Sequence, residues 1–525
     1  MASSRRIAAL PVRHAASVLD DARTAWNAGE YEQLLRLLDG ARLDRREDRV
    51  AAAHWQARAL LAVDRPDEAP PLLQRAAKEI KGSEETALTN MLLGAALTRT
   101  NRRDQGETLL DETAALAQRS VPQLVPEIAY YRALSRWSSS RLPEAEEIID
   151  AALPAATDVP RSRLLQLLGW IDVRRENYGA ATHEFTAALE ELNKSKQTDV
   201  KGRVRILSAL VFIAAETIDL RLGRFVRREY ESSTWTTDTR IERFRVLECL
   251  SWLSLLEGEV ARAWEERQLG LTLTIDTSYH AIALIDAAIV AGIVGDRFSE
   301  SRYLELAGSL LLRGDQVGLD VERRMAMLAF AGAAPAANVE TARKVLTLYD
   351  RTRPRRTEML ALEGDRRLEA YEFYARGKLA LVEGSTQQGI ADLDQSLELW
   401  TRLGYRLRTA ITANALRAAT GDRRYAQTAL DALRNTPNAW LREALERRTN
   451  EDDPLGQLTP AERRVLGELC KGKKAREIAA TFDRSFNTIN NHTRAIFSAF
   501  GVRSRASLVA ECARLGILDD IKSVR

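Results

Sequence analysis

The sequence predicts an all-α protein, a long solenoid of paired helices followed by a separate four-helix domain. Three observations carry this expectation. Apolar residues recur at i, i+3, i+4 and i+7 along the chain, and strand signals are almost absent. Polar turns interrupt that pattern every 35–47 residues, a period long enough for two helices and a turn. Near residue 447 the pattern stops, and the balance of charge changes beyond it.

The bulk properties agree. A chain of 525 residues should form several domains or one long repetitive one. Its 45% hydrophobic and 29% charged content is that of a soluble folded protein. No window approaches the ~18 consecutive apolar residues of a membrane span, so no membrane partner is expected. The opening "MASSRRIAALPVRHAASVLDDAR" is amphipathic and has no signal-peptide core with a cleavage site. Cys249, Cys470 and Cys512 are odd in number and far apart, without metal-ligand spacing. A reducing, cytoplasmic compartment follows as the expectation.

The solenoid is read from its turns. They fall at Gly29–Tyr31, Arg65-Pro66, Asn101-Arg102, Arg141–Pro143, Glu176–Tyr178, Gly223-Arg224, Gly258-Glu259, Gly295-Asp296, about Asn338, Gly384-Ser385 and Gly421-Asp422. That series predicts about eleven helical hairpins over residues 1–446. One unit, "LLGWIDVRRENYGAATHEFTAAL" (Leu167–Leu189), resembles a tetratricopeptide repeat through Leu168-Gly169, Tyr178, Ala181, Phe185 and Ala188. The small residues let two helices approach, and Tyr178 and Phe185 are expected to fill the gap between hairpins. "WNAGEYEQLLRLL" and "LLAVDRPDEAPPLLQRA" are weaker copies. All of these residues read as core, and none by itself implies a ligand.

"RRTNEDDPLGQ" (447–457) combines charge, Pro and Gly without apolar periodicity and reads as a linker. The segment beyond it, 458–525, carries 13 Lys/Arg against 7 Asp/Glu, whereas the remainder carries 64 against 67. A basic head on a mildly acidic body assigns any polyanion to the head. Thr459-Pro460-Ala461-Glu462 is a capping box with Pro at the first helical position. The first helix then runs through Val465, Leu466 and Leu469 to about Gly472. A second spans about Ala475–Phe482. Ser485 caps a third ending at Gly501, and Ser504 a fourth ending at Gly516. Four short helices with a tight turn between the second and third describe a helix-turn-helix unit.

Leu458 to Leu518 resembles the LuxR/GerE-type DNA-binding domain. The resemblance rests on Leu458-Thr459-Pro460, Glu462, Val465-Leu466, Gly472, Glu477-Ile478-Ala479, Ser485, Thr488-Ile489, His492, Ile496-Phe497, Gly501-Val502 and Arg505. It implies that the third helix enters the DNA major groove and that the fourth mediates dimerisation. On the third helix Ile489, Ile496, Phe497 and Phe500 share one face and belong to the core. Asn487, Asn490, Asn491, Arg494 and Ser498 share the other. On an isolated helix that would be an ordinary solvated face. Within a basic helix-turn-helix, Asn487, Asn490, Asn491 and Arg494 become candidate base readers, since Asn pairs with adenine and Arg with guanine. Lys473, Lys474, Arg476, Thr488, Arg503 and Arg505 are the candidate phosphate contacts. His492 matches a position that the family packs against the domain core.

Three departures matter. Asn490 stands where the family commonly has Lys, which lessens sequence-independent attraction. Asp483-Arg484 occupies a turn whose second position is usually hydrophobic. Lys473-Lys474 replaces a Ser/Thr cap, a loss of about 1 kcal/mol. No GxxxxGK[ST] is present, "CKGKKAR" lacks its spacing, and His183-Glu184 is followed by Ala187, so neither a P-loop nor a zinc pair forms. No nucleophile–base constellation is visible, and no enzyme activity, catalytic residue, metal or cofactor is expected.

The sequence thus reads as a bacterial-type, cytoplasmic transcription regulator that dimerises on promoter DNA, with activation as the family's commoner mode and RNA polymerase as a further partner. Its solenoid is expected to bind a protein, peptide or small-molecule effector. The alternative is a repeat scaffold for protein interaction with a vestigial helix-turn-helix, supported by Asn490 and Arg484. A sigma-factor-like subunit is disfavoured, because no basic, aromatic-rich segment suited to promoter melting lies upstream.

Overall fold

Helices account for the regular secondary structure among the described residues, as the 3.6-residue periodicity requires. The structure, a computed structural model, describes residues 15–196, 198–233, 235–275, 277, 279–313, 321–333, 339–352, 366–442, 445 and 458–514. The chain divides into two compact units, Met1–Thr420 and Gly421–Arg525. The expected linker over 447–457 and the turn near Asn338 lie outside the described residues.

The first unit is a TPR-like series of antiparallel helix pairs. It begins with Ala15–Ala28 and Tyr31–Asp39 and continues to Arg366–Val382 and Thr386–Arg402, with Arg406–Thr420 last. The reason for pairing is local. Short turns, several closed by a left-handed residue such as Gly29, Gly258 or Gly384, return the chain along its own apolar stripe. In the best-matched repeat Phe185 is fully buried and packs edge-on against Trp170 at 5.4 Å. A Cβ on Gly169 would come 3.0 Å from the Phe185 ring, so glycine sets how closely those two helices approach.

Gly106 is tighter still. A methyl group there would lie 2.7 Å from the Thr98 amide nitrogen and 2.8 Å from the Gly94 carbonyl oxygen. Backbone cannot rotate aside as a side chain can. Gly106→Ala is therefore expected to destabilise the first unit by about 1–3 kcal/mol, read as a lower thermal midpoint in calorimetry.

Two sequence expectations need correction. The turn expected at Gly223-Arg224 falls instead at Ile218-Asp219, and Gly223 lies inside the helix Leu220–Ser232. Ile218 adopts the left-handed conformation (φ 58°) and Asp219 accepts from the amides of Arg221 and Leu222, at 3.0 Å each. Gly223 is there for packing, since a Cβ would meet Leu253 at 2.7 Å. Tyr178 does not simply fill a gap beside the next hairpin. Its ring meets Tyr405, 5.6 Å away and far along the chain.

That contact belongs to a larger feature. The first unit folds back on itself in two places. Near its start, Thr236 donates to the Gly29 carbonyl at 3.1 Å, the Glu32 amide donates to Asp238 at 3.0 Å, and Lys201 donates to the Ala62 carbonyl. Farther on, Arg408 pairs with Glu216 at 2.9 Å and Arg406 donates to the Thr217 carbonyl at 3.3 Å. Around them Trp400, Leu403 and Tyr405 are buried, with Tyr178, Phe212 and Tyr371 packed on them.

In the second unit, Pro460–Cys470, Ala475–Phe482, Phe486–Ala499 and Arg505–Arg514 form the expected four helices. Their core contains Leu458, Val465, Leu466, Leu469, Ile478, Ile489, Ile496, Phe500 and Leu508. Cys470 and Cys512, both free thiols, meet in that same core despite their separation in sequence. No helix among the described residues is long and apolar enough to cross a membrane.

Candidate nucleic-acid interface

The third helix of the small domain is fixed before anything is asked of its outer face. Ser485 accepts from the Thr488 amide at 3.0 Å and caps the helix. Asp483 takes the left-handed conformation (φ 50°) and the Arg484 amide donates to the Ala479 carbonyl at 3.0 Å, which closes the second helix and turns the chain. Inside, Ile489 and Ile496 are 1% and 0% exposed and Phe500 is 6% exposed. These three anchors determine the helix's rotation about its own axis.

A second tie comes from the first helix. Thr459 and Glu462 form the reciprocal capping box, with the Thr459 amide donating to Glu462 at 2.8 Å and the Glu462 amide to the Thr459 hydroxyl at 3.3 Å. Glu462 Oε1 also lies 3.6 Å from His492 Nδ1, on the third helix. The Thr459 hydroxyl first, then its amide and His492, hold the Glu462 carboxyl below its ordinary range. A depressed folded-state pKa contributes stability above the ordinary value near 4.5, and that stability is lost as pH falls through the folded value. Glu462→Gln is therefore expected to flatten the acid limb of the domain's stability profile, measured by hydrogen exchange of residues 458–514 between pH 3 and 6.

With the helix so anchored, Asn487, Asn491, Arg494 and Ser498 are exposed on the face opposite the core. Asn490 differs. It lies roughly a quarter turn from that face and is half-buried. Among the described residues the side chains of Asn487, Asn490, Asn491 and Arg494 make no hydrogen bond or ion pair. Their donors and acceptors are therefore uncommitted, as base reading requires.

The six phosphate candidates separate. Lys474 and Arg503 are exposed and unpaired among the described residues, so their charges are available. Lys473 is held by Glu468 at 2.5 Å, and Lys471 shares the same carboxylate at 3.0 Å. Arg505 donates to the Gly472 carbonyl at 2.8 Å, tying the start of the fourth helix to the end of the first. Thr488 shares a hydrogen bond with Ser485 at 2.8 Å, whichever hydroxyl donates, and keeps at least one oxygen lone pair beside the helix N-terminus. Arg476 lies 5.7 Å from the Phe486 ring centre.

Phe486 is a residue that periodicity alone does not single out. It is the first residue of the third helix and is 44% exposed. Standing three residues before Ile489, it fits the i, i+3 spacing of the core stripe, so the sequence alone would bury it; the only contrary signal is its place directly after the Ser485 cap, in the first turn. Lys474 shows the cost of losing a Ser/Thr cap. Glu477 reaches back to the Lys474 amide at 2.7 Å, but an ammonium cannot accept in return, so half of the capping box is formed. Among the described residues no cluster of ligands that can hold a metal ion is present.

Comparison with known proteins agrees with this geometry for the small domain. The family model "Bacterial regulatory proteins, luxR family" matches residues 456–511. No curated protein matches the chain significantly in sequence. Among solved structures, a Rap protein complexed with Competence and Sporulation Factor is similar at 14% identity and TM-score 0.46, covering 70% of this chain and all of that one. The APC/C hetero-tetramer Cut9-Hcn1 is similar at 14% identity and TM-score 0.39, with 95% and 90% covered.

Proposed function

Residues 456–511 form a LuxR-type helix-turn-helix domain, and from that premise we propose that the chain is a sequence-specific, promoter-binding transcription regulator. The observation that carries this is the third helix. Its inner face is locked into the core, and its outer face presents Asn487, Asn491 and Arg494 with no partner among the described residues. One such helix reads only a few base pairs, so binding as a dimer on paired half-sites gives the specificity. The fourth helix is the proposed dimer surface, activation the proposed mode, and RNA polymerase and the cytoplasm the proposed partner and setting. The first unit is the proposed receiver of an effector whose binding changes the DNA affinity of the second.

Selection of bound sequences from random DNA with the full chain tests the proposal, and recovery of a two-fold repeated motif is the expected result. Asn491→Ala and Arg494→Ala should each relax preference at one position, by about 1–3 kcal/mol of discrimination. Lys474→Ala should weaken all sequences alike and reduce the slope of log K against log salt by about one. Glu468→Gln should act in the opposite sense. It releases Lys473, so affinity and salt slope should both rise, with no change in preferred sequence.

The competing reading, a protein-interaction scaffold with a vestigial helix-turn-helix, is favoured by one specific observation. Lys473 and Arg505 are already engaged within the domain, by Glu468 and by the Gly472 carbonyl. A flat salt titration and the absence of a selected motif would establish the scaffold instead.

A further inference from the structure

The first unit contains an open, concave cavity of about 1700 Å³, well above the ~300–1,000 Å³ of ordinary small-molecule sites. Its lining is unlike the rest of the unit. Among the described residues, twelve arginines and lysines line it against four carboxylates, although residues 1–457 as a whole carry 64 basic and 67 acidic side chains. The positive charge of an otherwise mildly acidic body is therefore collected on one concave wall, where a low-dielectric surround focuses its field.

Part of that charge is compensated. Arg163 is held by Asp199 at 2.9 Å and Lys201 by Glu242 at 3.2 Å, while Arg58, Arg99 and Arg175 pair with Glu127, Asp64 and Glu146 just outside the lining, at 3.1, 2.6 and 2.6 Å. Three other lining arginines are not. Arg103 donates to the neutral oxygens of Ser139 and Thr98, at 2.6 and 3.4 Å. Arg324 donates to the Thr352 carbonyl at 3.2 Å, and its buried Nε–H has no acceptor among the described residues. Arg366, exposed, makes no hydrogen bond or ion pair among the described residues. The indole N–H of Trp137, another lining residue, is also buried without an acceptor among the described residues. Donors and cations are thus in surplus, and what they lack is an acceptor-rich anion.

The geometry points to an acidic peptide as the occupant of this cavity, with Arg103, Arg324 and Arg366 taking its carboxylates. This deepens the effector role proposed above and rests on it for its regulatory meaning. Single-stranded nucleic acid is the natural rival, because it too uses cationic and aromatic walls. Two features favour the peptide. The aromatic faces are largely occupied, since Arg174 covers Trp137 at 4.4 Å and Tyr178 and Tyr405 contact each other edge-on at 5.6 Å. Glu176 and Glu369, the wall carboxylates that no ion pair engages among the described residues, repel a uniform phosphate backbone but suit the ammonium terminus or an occasional cation of a peptide.

Fluorescence anisotropy on the full chain provides the test. The probes are a labelled decapeptide library biased to Asp and Glu, a Lys-biased library of equal length, and an oligodeoxythymidine decamer. The acidic library should bind about tenfold or more tightly than the Lys-biased one. Arg103→Glu and Arg366→Glu should each weaken it by about tenfold. Arg366 is exposed and makes no contact that the fold needs, so its variant remains informative if Arg103→Glu unfolds. Equal binding of both libraries, tighter binding of the thymidine decamer to the wild type than to Arg366→Glu, or an unchanged affinity of Arg366→Glu for acidic peptide would overturn the assignment. The same peptides added to a complex with the selected DNA separate the two readings. Binding of acidic peptide that leaves DNA affinity unchanged removes the effector role and keeps the cavity assignment. Intact DNA binding without peptide binding removes only the latter.

Discussion

Ile496→Ala is expected to abolish DNA binding by unfolding the small domain, while Asn491→Ala, five residues earlier on the same helix, leaves the fold intact and flattens the selected motif. Ile496 is fully buried, in contact with a core drawn from all four helices. Truncation there costs about 2–5 kcal/mol, from lost burial and the cavity left behind. A domain this small has little to spare, since small folds sit near the lower end of the ~5–15 kcal/mol that proteins retain. Asn491 is exposed and makes no hydrogen bond through its side chain among the described residues, so its removal costs the fold almost nothing. Hydrogen exchange of residues 458–514 in the full chain separates the cases. Protection should collapse in the first variant and persist in the second. If Ile496→Ala bound DNA like the wild type, or if Asn491→Ala kept the full preference, the division of this helix into an anchoring face and a reading face would be wrong.

Arg408→Ala should have the largest effect on the first unit, about 3–5 kcal/mol. The guanidinium lies 5.4 Å from the Trp252 ring and 5.3 Å from Tyr371, and it pairs with Glu216, whose side chain is 7% exposed. Its removal leaves a carboxylate desolvated without compensation and two aromatic faces without their cation. The consequence should be non-local. Exchange should quicken in both Val200–Thr217 and Arg406–Thr420, the two helices that this pair joins. The double variant Glu216→Gln/Arg408→Met should be markedly milder than Arg408→Ala, because replacing both charges removes the uncompensated one. Quickened exchange confined to residues 406–420 would show that the pair decorates the fold-back contact and does not hold it.

Much of the architecture was legible because it depends on neighbours in sequence. The 3.6-residue stripe, the left-handed Gly258 and Gly295 at turns, and the Thr459–Glu462 box all act within a few residues, and each appears where the sequence places it. The Gly223 turn failed for an equally local reason. Glycine signals either a turn or a close approach, and only the Leu253 side chain beneath it decides which. On the third helix, periodicity separated Ile489 and Ile496 from Asn491 and Arg494, but Asn490 lies between the two faces and needed the neighbouring helices to show that it is half-buried. Nothing in "CKGKK" reveals that Glu468 holds Lys473, since a lysine within reach of both a carboxylate and a phosphate looks the same in sequence.

By itself, then, the sequence determined the helices, their pairing, the basic terminal domain and the outward face of its third helix. Those properties follow from intervals of three, four and about forty residues. The tertiary structure alone decided what meets across nearly two hundred residues or more: Tyr178 on Tyr405, Arg408 on Glu216, and the arginines of separate repeats around one cavity. The reason is geometric. Each repeat adds a small rotation, and which distant repeats coincide depends on the sum of those rotations, a quantity that no single repeat encodes.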